Sequence, residues 1–386
     1  MHDRRATRSD APGPVPPLTE GTTVASPRVA VVGFQGFGNV GDEAILAGIE
    51  RLLGGDVRVA TVFAGGQRPV VAFRHAPQRS TFHFLPTLPA VRALARADVL
   101  LFAGGGLMND YWPSVIPRYL AWVLAGRIAG CRIVWIGAGV GPIRRRTHRR
   151  LAGLAFRASR SVIVRDESSR GWVRRCAPTV AVQVIPDPAF FAPSPPALPA
   201  AATASLGTTG IVVRAPAPGS RGASETLLDA LAALVADLGS QGQDVRLLTM
   251  HDPVDAPFVA RLQERCLNRG AQRPTVTALP LAPDEAIAGL AGFGAIVTVR
   301  LHGLILAALA GVPAVSLRYD DKVAAAAAEL GLADLCLPLE GLTPVALAGA
   351  LAAAAEPGRR DALAIRVAEI RSRADAVRGL LVRALG

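Results

Sequence analysis

The chain has 386 residues, of which 51% are hydrophobic and 5% aromatic, so we expect two domains whose cores are built from Ala, Val and Leu. The formal net charge of +12 favours anionic or phosphorylated partners. Nucleic acid is not expected, because the sequence has no zinc-finger spacing, RNP-like strand or helix-turn-helix. No apolar run reaches the roughly 20 residues of a membrane-spanning helix, and the scattered Cys and His residues predict neither a disulfide nor a metal site.

The first part of the chain predicts a disordered segment followed by a parallel sheet. Residues 1–27 contain charges and prolines but no apolar segment, unlike a secretory signal, so we predict a disordered N-terminus and a cytoplasmic protein. Over residues 28–190, short runs such as RVAVVG and CRIVWIGAG alternate with Ala- and Leu-rich helical stretches. This alternation is typical of a parallel sheet covered on both faces and predicts an N-terminal Rossmann-like domain.

The second part repeats this pattern. Residues 191–207 are rich in Pro, Ala and Ser and predict a linker. The alternation of strands and helices resumes over residues 208–342 and predicts a C-terminal Rossmann-like domain. Residues 343–386 have a helical pattern, and we expect these helices to pack back across the hinge between the two domains. The predicted fold class is therefore α/β, with two doubly wound domains that face each other across a cleft. In such sheets ligands bind at the carboxyl ends of the strands.

A glycine-rich loop follows the first strand. The stretch GFQGFGNVGDEAIL (33–46) contains GxGxxG, with Gly38 and Gly41 as its last two glycines. The next strand ends without the acidic residue that a dinucleotide site requires, so we exclude NAD binding. The loop and the helix after it can still approach an anion or a sugar. Asp42 is predicted to bind sugar hydroxyls or to act as a base, and the alternative is a simple helix cap.

A second glycine-rich stretch, AGGGLMND (103–110), also follows a strand. Its glycines, including Gly105, let a ligand reach the backbone, and Asn109 and Asp110 are candidates for binding hydroxyl groups. The alternative is a turn that ends in an Asn or Asp cap.

Arginines follow two further strands. GVGPIRRRTHRR (139–150) places five arginines among seven residues, and Arg144 is the one predicted to reach a phosphate or carboxylate in the cleft. The others are interpreted as a solvated face or as contacts to anionic lipid headgroups. In VRDESS (164–169), Arg165 either binds substrate or pairs with Asp166.

The richest stretch is VTVRLHGLILAALAGVPAVSLRYDDK (297–322). Arg300 ends a buried strand, and His302 then opens an apolar helix beside a glycine that leaves room for a ligand. The next strand ends with Arg318 and leads to Lys322, the only lysine of the chain. Because adjacent parallel strands lie about 5 Å apart, we expect these groups to share a pocket.

Together these stretches resemble the polysaccharide pyruvyl transferase family. The blocks GFGNVGDEAIL, GGGLMND, VRDESS, DPAF (187–190), RLHGLILAALAGVP and YDDKV follow in that family's order over roughly residues 28–330. The resemblance implies a GT-B-like fold, with the acceptor on the N-terminal side of the cleft and the donor on the C-terminal side. It also implies that pyruvate moves from phosphoenolpyruvate to two hydroxyls of an envelope glycan or its lipid-linked precursor, forming a ketal and releasing phosphate without a cofactor.

The resemblance matches the family's functional His and Lys to His302 and Lys322, and the arginine of its RLH motif to Arg300. Phosphoenolpyruvate carries a phosphate and a carboxylate, so several arginines are expected around it. We predict His302 as general acid, Lys322 as a point charge on the phosphate or the developing oxyanion, and a carboxylate such as Asp42 or Asp110 as base.

Two alternatives remain open from the sequence. A nucleotide-sugar glycosyltransferase would share the two-domain fold, with Glu329 as a candidate ribose ligand. A non-catalytic protein that binds glycans or anionic lipid would depend on the arginine run and not on His302 and Lys322.

Overall fold

The computed structural model describes residues 26–55, 57–63, 85–194, 208–214 and 221–386. Within these residues the chain forms two six-stranded sheets in which every strand pair is parallel, as the Val- and Ile-rich runs predict. The predicted disordered segment (1–27) and the predicted linker (191–207) lie mostly outside the described residues.

The first sheet has the strand order β2-β1-β3-β4-β5-β6. Its strands are β1 (Arg28–Val32), β2 (Arg58–Phe63), β3 (Val99–Met108), β4 (Arg132–Val140), β5 (Ser161–Val164) and β6 (Val182–Val184). Its helices are α1 (Val40–Leu53), α2 (Leu88–Leu94), α3 (Val115–Ile128), α4 (Arg146–Arg157) and α5 (Glu167–Cys176). A 3₁₀ helix, Pro188–Phe191, follows β6.

These helices cover the two faces of the first sheet. From β3 to β6 the chain crosses the sheet in one direction, so right-handed crossovers place α3, α4 and α5 on one face. Helices α2 to α5 pack side by side there, while α1 packs against the 3₁₀ helix and α13 on the other face. The core under the α2–α5 layer contains a stacked pair, Phe102 and Trp135, with ring centroids 4.0 Å apart.

The second sheet has the order β12-β11-β10-β7-β8-β9. Its strands are β7 (Thr208–Val212), β8 (Asp244–Thr249), β9 (Thr275–Ala278), β10 (Ala295–Thr298), β11 (Ala314–Arg318) and β12 (Cys336–Pro338). Its helices are α6 (Arg221–Ser240), α7 (Asp252–Leu267), α8 (Pro283–Leu290), α9 (Leu301–Leu309) and α10 (Asp321–Glu329), and a second 3₁₀ helix spans Ala333–Leu335.

Three helices end the chain: α11 (Pro344–Ala354), α12 (Arg359–Arg371) and α13 (Ala374–Leu385). Helix α11 packs on the second sheet, and α12 and α13 reach the first half. Helix α13 contacts α1 and β4, and the guanidinium of Arg371 in α12 donates to the carbonyl oxygens of Phe190 and Ala192. One apolar cluster runs without interruption from α1 through α9 to α13. The C-terminal segment therefore ties the two sheets together across the hinge.

One element differs from the sequence prediction. Strand β3 continues to Met108, so the glycines of AGGGLMND lie within the strand and not in a loop after it. Gly104 and Gly105 have positive φ values of 39° and 77°, and the ladder with β4 is irregular between Gly105 and Met108. Glycine permits this kinked strand end because it lacks a Cβ atom.

In the part of the chain that the structure describes, none of the helices combines the length and the apolar character needed to cross a membrane.

Candidate active site

His302 lies in the first turn of α9 and faces the first sheet across the cleft. Its Nε2 is 3.4 Å from Nη1 of Arg165 and 3.6 Å from Oδ2 of Asp187. The other edge of the ring packs on Gly41 in α1, where a Cβ atom would lie 2.3 Å from Nδ1. Glycine is therefore required at position 41 for α1 to approach the imidazole.

Asp187 joins His302 to Arg165. Its Oδ2 accepts a hydrogen bond from Nη1 of Arg165 at 2.8 Å, and its Oδ1 accepts from the backbone N–H of Ala189. Burial alone would raise the pKa of Asp187. The charge of Arg165 and the hydrogen bond from His302 outweigh that effect, so the pKa lies below its usual range and the group is a carboxylate at neutral pH.

Arg165 is buried at the end of β5 and pairs mainly with Asp187. Its Nε is 3.7 Å from Asp166, the pairing that the sequence suggested, but Asp166 chiefly caps α5 by accepting from the backbone N–H of Ser169 at 2.6 Å. The close approach of Arg165 to β4 requires Gly139, since a Cβ atom there would lie 2.8 Å from Nη2.

Asp42 is a buried carboxyl group beside this cluster. Asn39 donates to its Oδ2 at 2.5 Å, and Gly105 lies so close that a Cβ atom would be 2.5 Å from Oδ1. Burial raises the pKa of Asp42, although the nearby charges of His302 and Arg165 oppose the shift. A carboxyl group with a raised pKa is suited to exchange a proton near neutral pH.

The glycine loop before α1 is held by protein groups. The backbone N–H of Gly36 donates to Oε1 of Glu43 at 2.5 Å, and that of Val40 donates to the carbonyl oxygen of Met250 in the second half at 3.0 Å. Gly38 has a φ of 80°, which only glycine adopts without strain. Several backbone donors that the sequence assigned to a ligand are thus used within the protein.

Lys322 lies in the first turn of α10. Its Nζ is 3.1 Å from Oδ2 of Asp320 and 5.5 Å from the ring centre of Tyr319. The hydroxyl of Tyr111, from the loop after β3, donates to the same Asp320 oxygen at 3.5 Å. Burial and the charge of Asp320 raise the pKa of Tyr111 to about 12, so the phenol stays protonated.

Two cavities meet at Lys322 and Asp166. The first lies between the two halves and is lined by Asn109, Tyr111, Arg144, Tyr319 and Lys322, among others. The second is lined by Arg165 and Asp187 of the His302 cluster and by Lys322, together with apolar residues of α9 and α10. Lys322 and Asp166 line both cavities, so the lysine and two partners of the histidine share the second one.

Other predicted site residues have different surroundings. The guanidinium of Arg300 is buried and bound to Asp255, and burial lowers its pKa. Arg318 is exposed and lines neither cavity. Oδ2 of Asp110 accepts from the backbone N–H groups of Arg144 and Arg145 at 2.5 and 2.8 Å. Asp110 thus stabilises the start of α4.

Asn109 also has a local role in addition to lining the first cavity. Its Nδ2 donates to the carbonyl oxygen of Gly106 at 2.8 Å, and its Oδ1 accepts from the backbone N–H of Tyr111. This arrangement shapes the turn after β3, as the alternative interpretation of the sequence proposed.

Sequence reasoning missed three residues near these cavities: Asp187, Tyr111 and Arg214. The guanidinium carbon of Arg214 lies 5.7 Å from the ring centre of Tyr319. Arg214 follows the buried strand β7, so the rule that selected His302 would have selected it too. Asp187 comes three residues after β6, a partly exposed edge strand without that pattern.

Among the described residues, no group of three or more His, Cys, Asp or Glu side chains is arranged to hold a metal ion.

The sequence profile of the polysaccharide pyruvyl transferase family matches residues 39–321 of the chain. The match includes His302 and ends one residue before Lys322. Among curated proteins, none gave a significant match.

Several solved structures resemble the chain. MnaA of S. aureus with UDP is 12% identical, with a TM-score of 0.55 over 92% of this chain and 97% of that one. The N-terminal domain of Candida albicans trehalose-6-phosphate phosphatase is 10% identical, with a TM-score of 0.53 over 95% and 98%. An O-GlcNAc transferase variant of Thermobaculum terrenum is 17% identical, with a TM-score of 0.52 over 95% and 68%. At these identities the likeness concerns the fold alone, and it confirms two Rossmann-like domains in a GT-B-like arrangement.

Proposed function

Because this chain belongs to the polysaccharide pyruvyl transferase family and transfers pyruvate to a glycan, we propose that its donor is phosphoenolpyruvate and its product a cyclic pyruvate ketal. The methylene carbon of the donor takes up a proton while one sugar hydroxyl attacks the neighbouring carbon. Phosphate then leaves, and a second hydroxyl closes the ring. One of the two hydroxyl protons replaces the proton that the methylene carbon took up to become a methyl group. The other leaves with the phosphate.

His302 is the proposed general acid for the methylene carbon. Histidine titrates near neutral pH and can both hold and give a proton there. Asp187, held in place by Arg165, lies 3.6 Å from Nε2 of the ring. The packing of Gly41 against the ring fixes its orientation. This cluster, assembled from both halves of the molecule, is the observation that carries the proposal.

Lys322 and Arg144 are the proposed ligands of the phosphate and carboxylate of the donor. Both line the first cavity, and Lys322 lines the second as well. Arg318 ends β11 and Arg300 follows the neighbouring strand β10. We propose that they add positive potential rather than direct contacts, since Asp255 already binds Arg300.

Asp42 is the proposed base for the attacking hydroxyl. Its burial, its raised pKa and its contact with Gly105 support that role. We propose that the acceptor binds on the side of the first sheet, near Gly38, Gly105 and Asn109. Its glycan is proposed to be lipid-linked, with the protein acting in the cytoplasm at the inner face of the plasma membrane and needing no cofactor.

The test is phosphate release from phosphoenolpyruvate with a panel of free and lipid-linked glycans. We expect acceptor-dependent release by the wild type and by Arg383→Ala, an exposed control in α13, and none by His302→Ala. If no acceptor supports release and phosphoenolpyruvate does not raise the melting temperature, the proposed donor is wrong. Stabilisation by a nucleotide sugar would then support the glycosyltransferase alternative.

A further inference from the structure

The net charge of the chain is confined to one part of the first half. Residues 111–186 contain fourteen arginines and two acidic residues, a net charge of +12 that equals the charge of the whole chain. Residues 111–165 contain no acidic residue. The rest of the sequence is neutral as a set, so the molecule is positively charged around β4 and helices α3, α4 and α5.

Helix α4 presents part of this charge to solvent in a stripe. Arg146, Arg150, Leu154 and Arg157 are spaced by three or four residues, which places them on one helix face, and all four are exposed. The three arginines form no ion pair with any carboxylate of the described residues. Arg146 in the first helical turn opposes the helix dipole, whereas Arg157 in the last turn favours it. The dipole therefore does not account for the stripe as a whole.

Helix α3, packed directly against α4, presents a mostly apolar stripe. Leu124 is 51% exposed and Ile128 is 82% exposed, and Trp112 stands 58% exposed in the turn before the helix. Leu154 of α4 adds a fourth large apolar side chain. We call the surface formed by these residues the α3–α4 face, and it consists of Trp112, Leu124, Ile128, Arg146, Arg150, Leu154 and Arg157.

We infer that the α3–α4 face docks on an anionic lipid bilayer. Its arginines contact headgroup phosphates, while its apolar side chains enter the interface between headgroups and acyl chains. A nucleic acid would match the arginines and could stack on Trp112, but it would leave the exposed Leu124, Ile128 and Leu154 unexplained. The combination of charge with protruding apolar groups therefore favours a membrane.

The α3–α4 face lies next to the cavity between the two halves. Tyr111 and Arg144, which line the cavity between the two halves, precede Trp112 and Arg146 by one and two residues. A bilayer against the α3–α4 face therefore lies beside the mouth of the cavity. The inference assigns the proposed membrane contact to a defined surface. It rests on the proposed function only where it places the acceptor glycan in the bilayer.

Vesicle sedimentation tests the inference. We expect the wild type to bind vesicles rich in phosphatidylglycerol, to ignore vesicles of pure phosphatidylcholine and to dissociate as salt increases. The triple variant Arg146→Gln/Arg150→Gln/Arg157→Gln should bind on the order of a hundred-fold more weakly, since each charge contributes roughly five-fold. The matched control Arg246→Gln/Arg269→Gln/Arg383→Gln removes the same charge from exposed positions elsewhere and should bind like the wild type.

The double variant Ile128→Ser/Leu154→Ser tests the apolar part. It keeps every charge and should bind anionic vesicles several-fold more weakly than the wild type at the same salt concentration, because less apolar area enters the interface. Equal binding by this variant and the wild type would overturn the insertion of apolar side chains.

The inference is overturned if the wild type does not prefer anionic vesicles, or if the α4 triple variant binds them as well as its control. Loss of single-stranded oligonucleotide binding in that variant, without vesicle binding by the wild type, would assign the face to nucleic acid. Activity separates this result from the proposed function. The triple variant should retain wild-type turnover with a soluble glycan and lose it only with an acceptor embedded in vesicles. Loss with both acceptors would contradict the assignment of these arginines to docking, whereas failure of the wild type with both would count against the catalytic proposal.

Discussion

The substitution Lys322→Arg tests whether a positive charge alone is enough for activity at the position that lines both cavities. Arginine keeps the charge and can still pair with Asp320, but its planar guanidinium is larger and holds its donors in a fixed fork. We expect Lys322→Arg to lower kcat/KM for phosphoenolpyruvate on the order of a hundred-fold, as loss of a point-charge contact in a transition state does. Arg383→Lys, an exposed change in α13, is the control and should be silent. Wild-type kinetics in Lys322→Arg would show that the positive charge alone is sufficient and would contradict a requirement for lysine at this position.

Glu43 makes stability depend on pH. It is buried, its Oε2 has no hydrogen-bond partner among the described residues, and burial raises its pKa to about 7 from an ordinary 4.5. The unfolded chain therefore ionises at lower pH than the folded chain. The stability that Glu43 contributes is fully present below pH 4.5 and is lost as the pH rises to about 7.

This loss amounts to about 3 kcal/mol for a shift of this size. We expect Glu43→Gln to make the free energy of unfolding less dependent on pH between about 4.5 and 7, because glutamine does not ionise. Glutamine also keeps an oxygen that accepts from the backbone N–H of Gly36. Urea unfolding at about pH 5 and about pH 8 measures the difference. Glu285→Gln, an exposed substitution in α8, should follow the wild type. Parallel profiles for wild type and Glu43→Gln would contradict the raised pKa.

At the scale of elements, the first turn of α1 forms one wall of the His302 site. Gly41→Ala would place a methyl group 2.3 Å from Nδ1 of His302, so either the ring or the helix must move. A displacement near 1 Å reduces turnover on the order of a hundred-fold, and we expect that loss in kcat. Gly171→Ala in α5 meets no atom within 4 Å and should raise stability by about 0.5–1 kcal/mol without changing turnover. Steady-state kinetics and thermal unfolding of both variants provide the comparison.

The strands and the strand-end groups were predictable because buried parallel strands have a strong local pattern. Each of β3, β4 and β10 contains a short buried apolar run, VLLF, IVWI and AIV, and the polar residues after these strands lie at one edge of each sheet. His302 was selected by this rule.

Pairings between distant residues were not predictable. Asp187 lies 22 residues from Arg165 in sequence, and Tyr111 lies 209 residues from Asp320. Arg300 resembled a substrate ligand because its partner Asp255, 45 residues away, looked like an ordinary acidic residue in the first turn of a helix. A single sequence contains the identity of such residues but not their distances, so the same local pattern fits a ligand site and an internal ion pair.

At the scale of the whole molecule, the shared core predicts that both halves unfold together. The apolar cluster that runs from α1 through α9 to α13 crosses the cleft, and the C-terminal helices join the two sheets. All four tryptophans lie in the first half, at positions 112, 122, 135 and 172. Tryptophan fluorescence therefore reports on that half, whereas far-ultraviolet circular dichroism reports on both.

We expect the two signals to give coincident urea transitions, as a single cooperative unit does. A second transition seen only by circular dichroism would show that the second half unfolds by itself. The variant Leu381→Ala, which removes a buried side chain of α13, should lower the midpoint of both signals equally.

Because Lys322 is the only lysine of the chain, its amine can be labelled selectively. Reductive methylation of amines with ¹³C-labelled formaldehyde would modify Lys322 and the N-terminal amine and no other group, because the chain has one lysine. The resulting NMR spectrum would contain one side-chain resonance, from a dimethylammonium group beside Asp320 and Tyr319. Donor and acceptor occupancy of the cleft could then be followed through one signal, without introducing a probe by mutation.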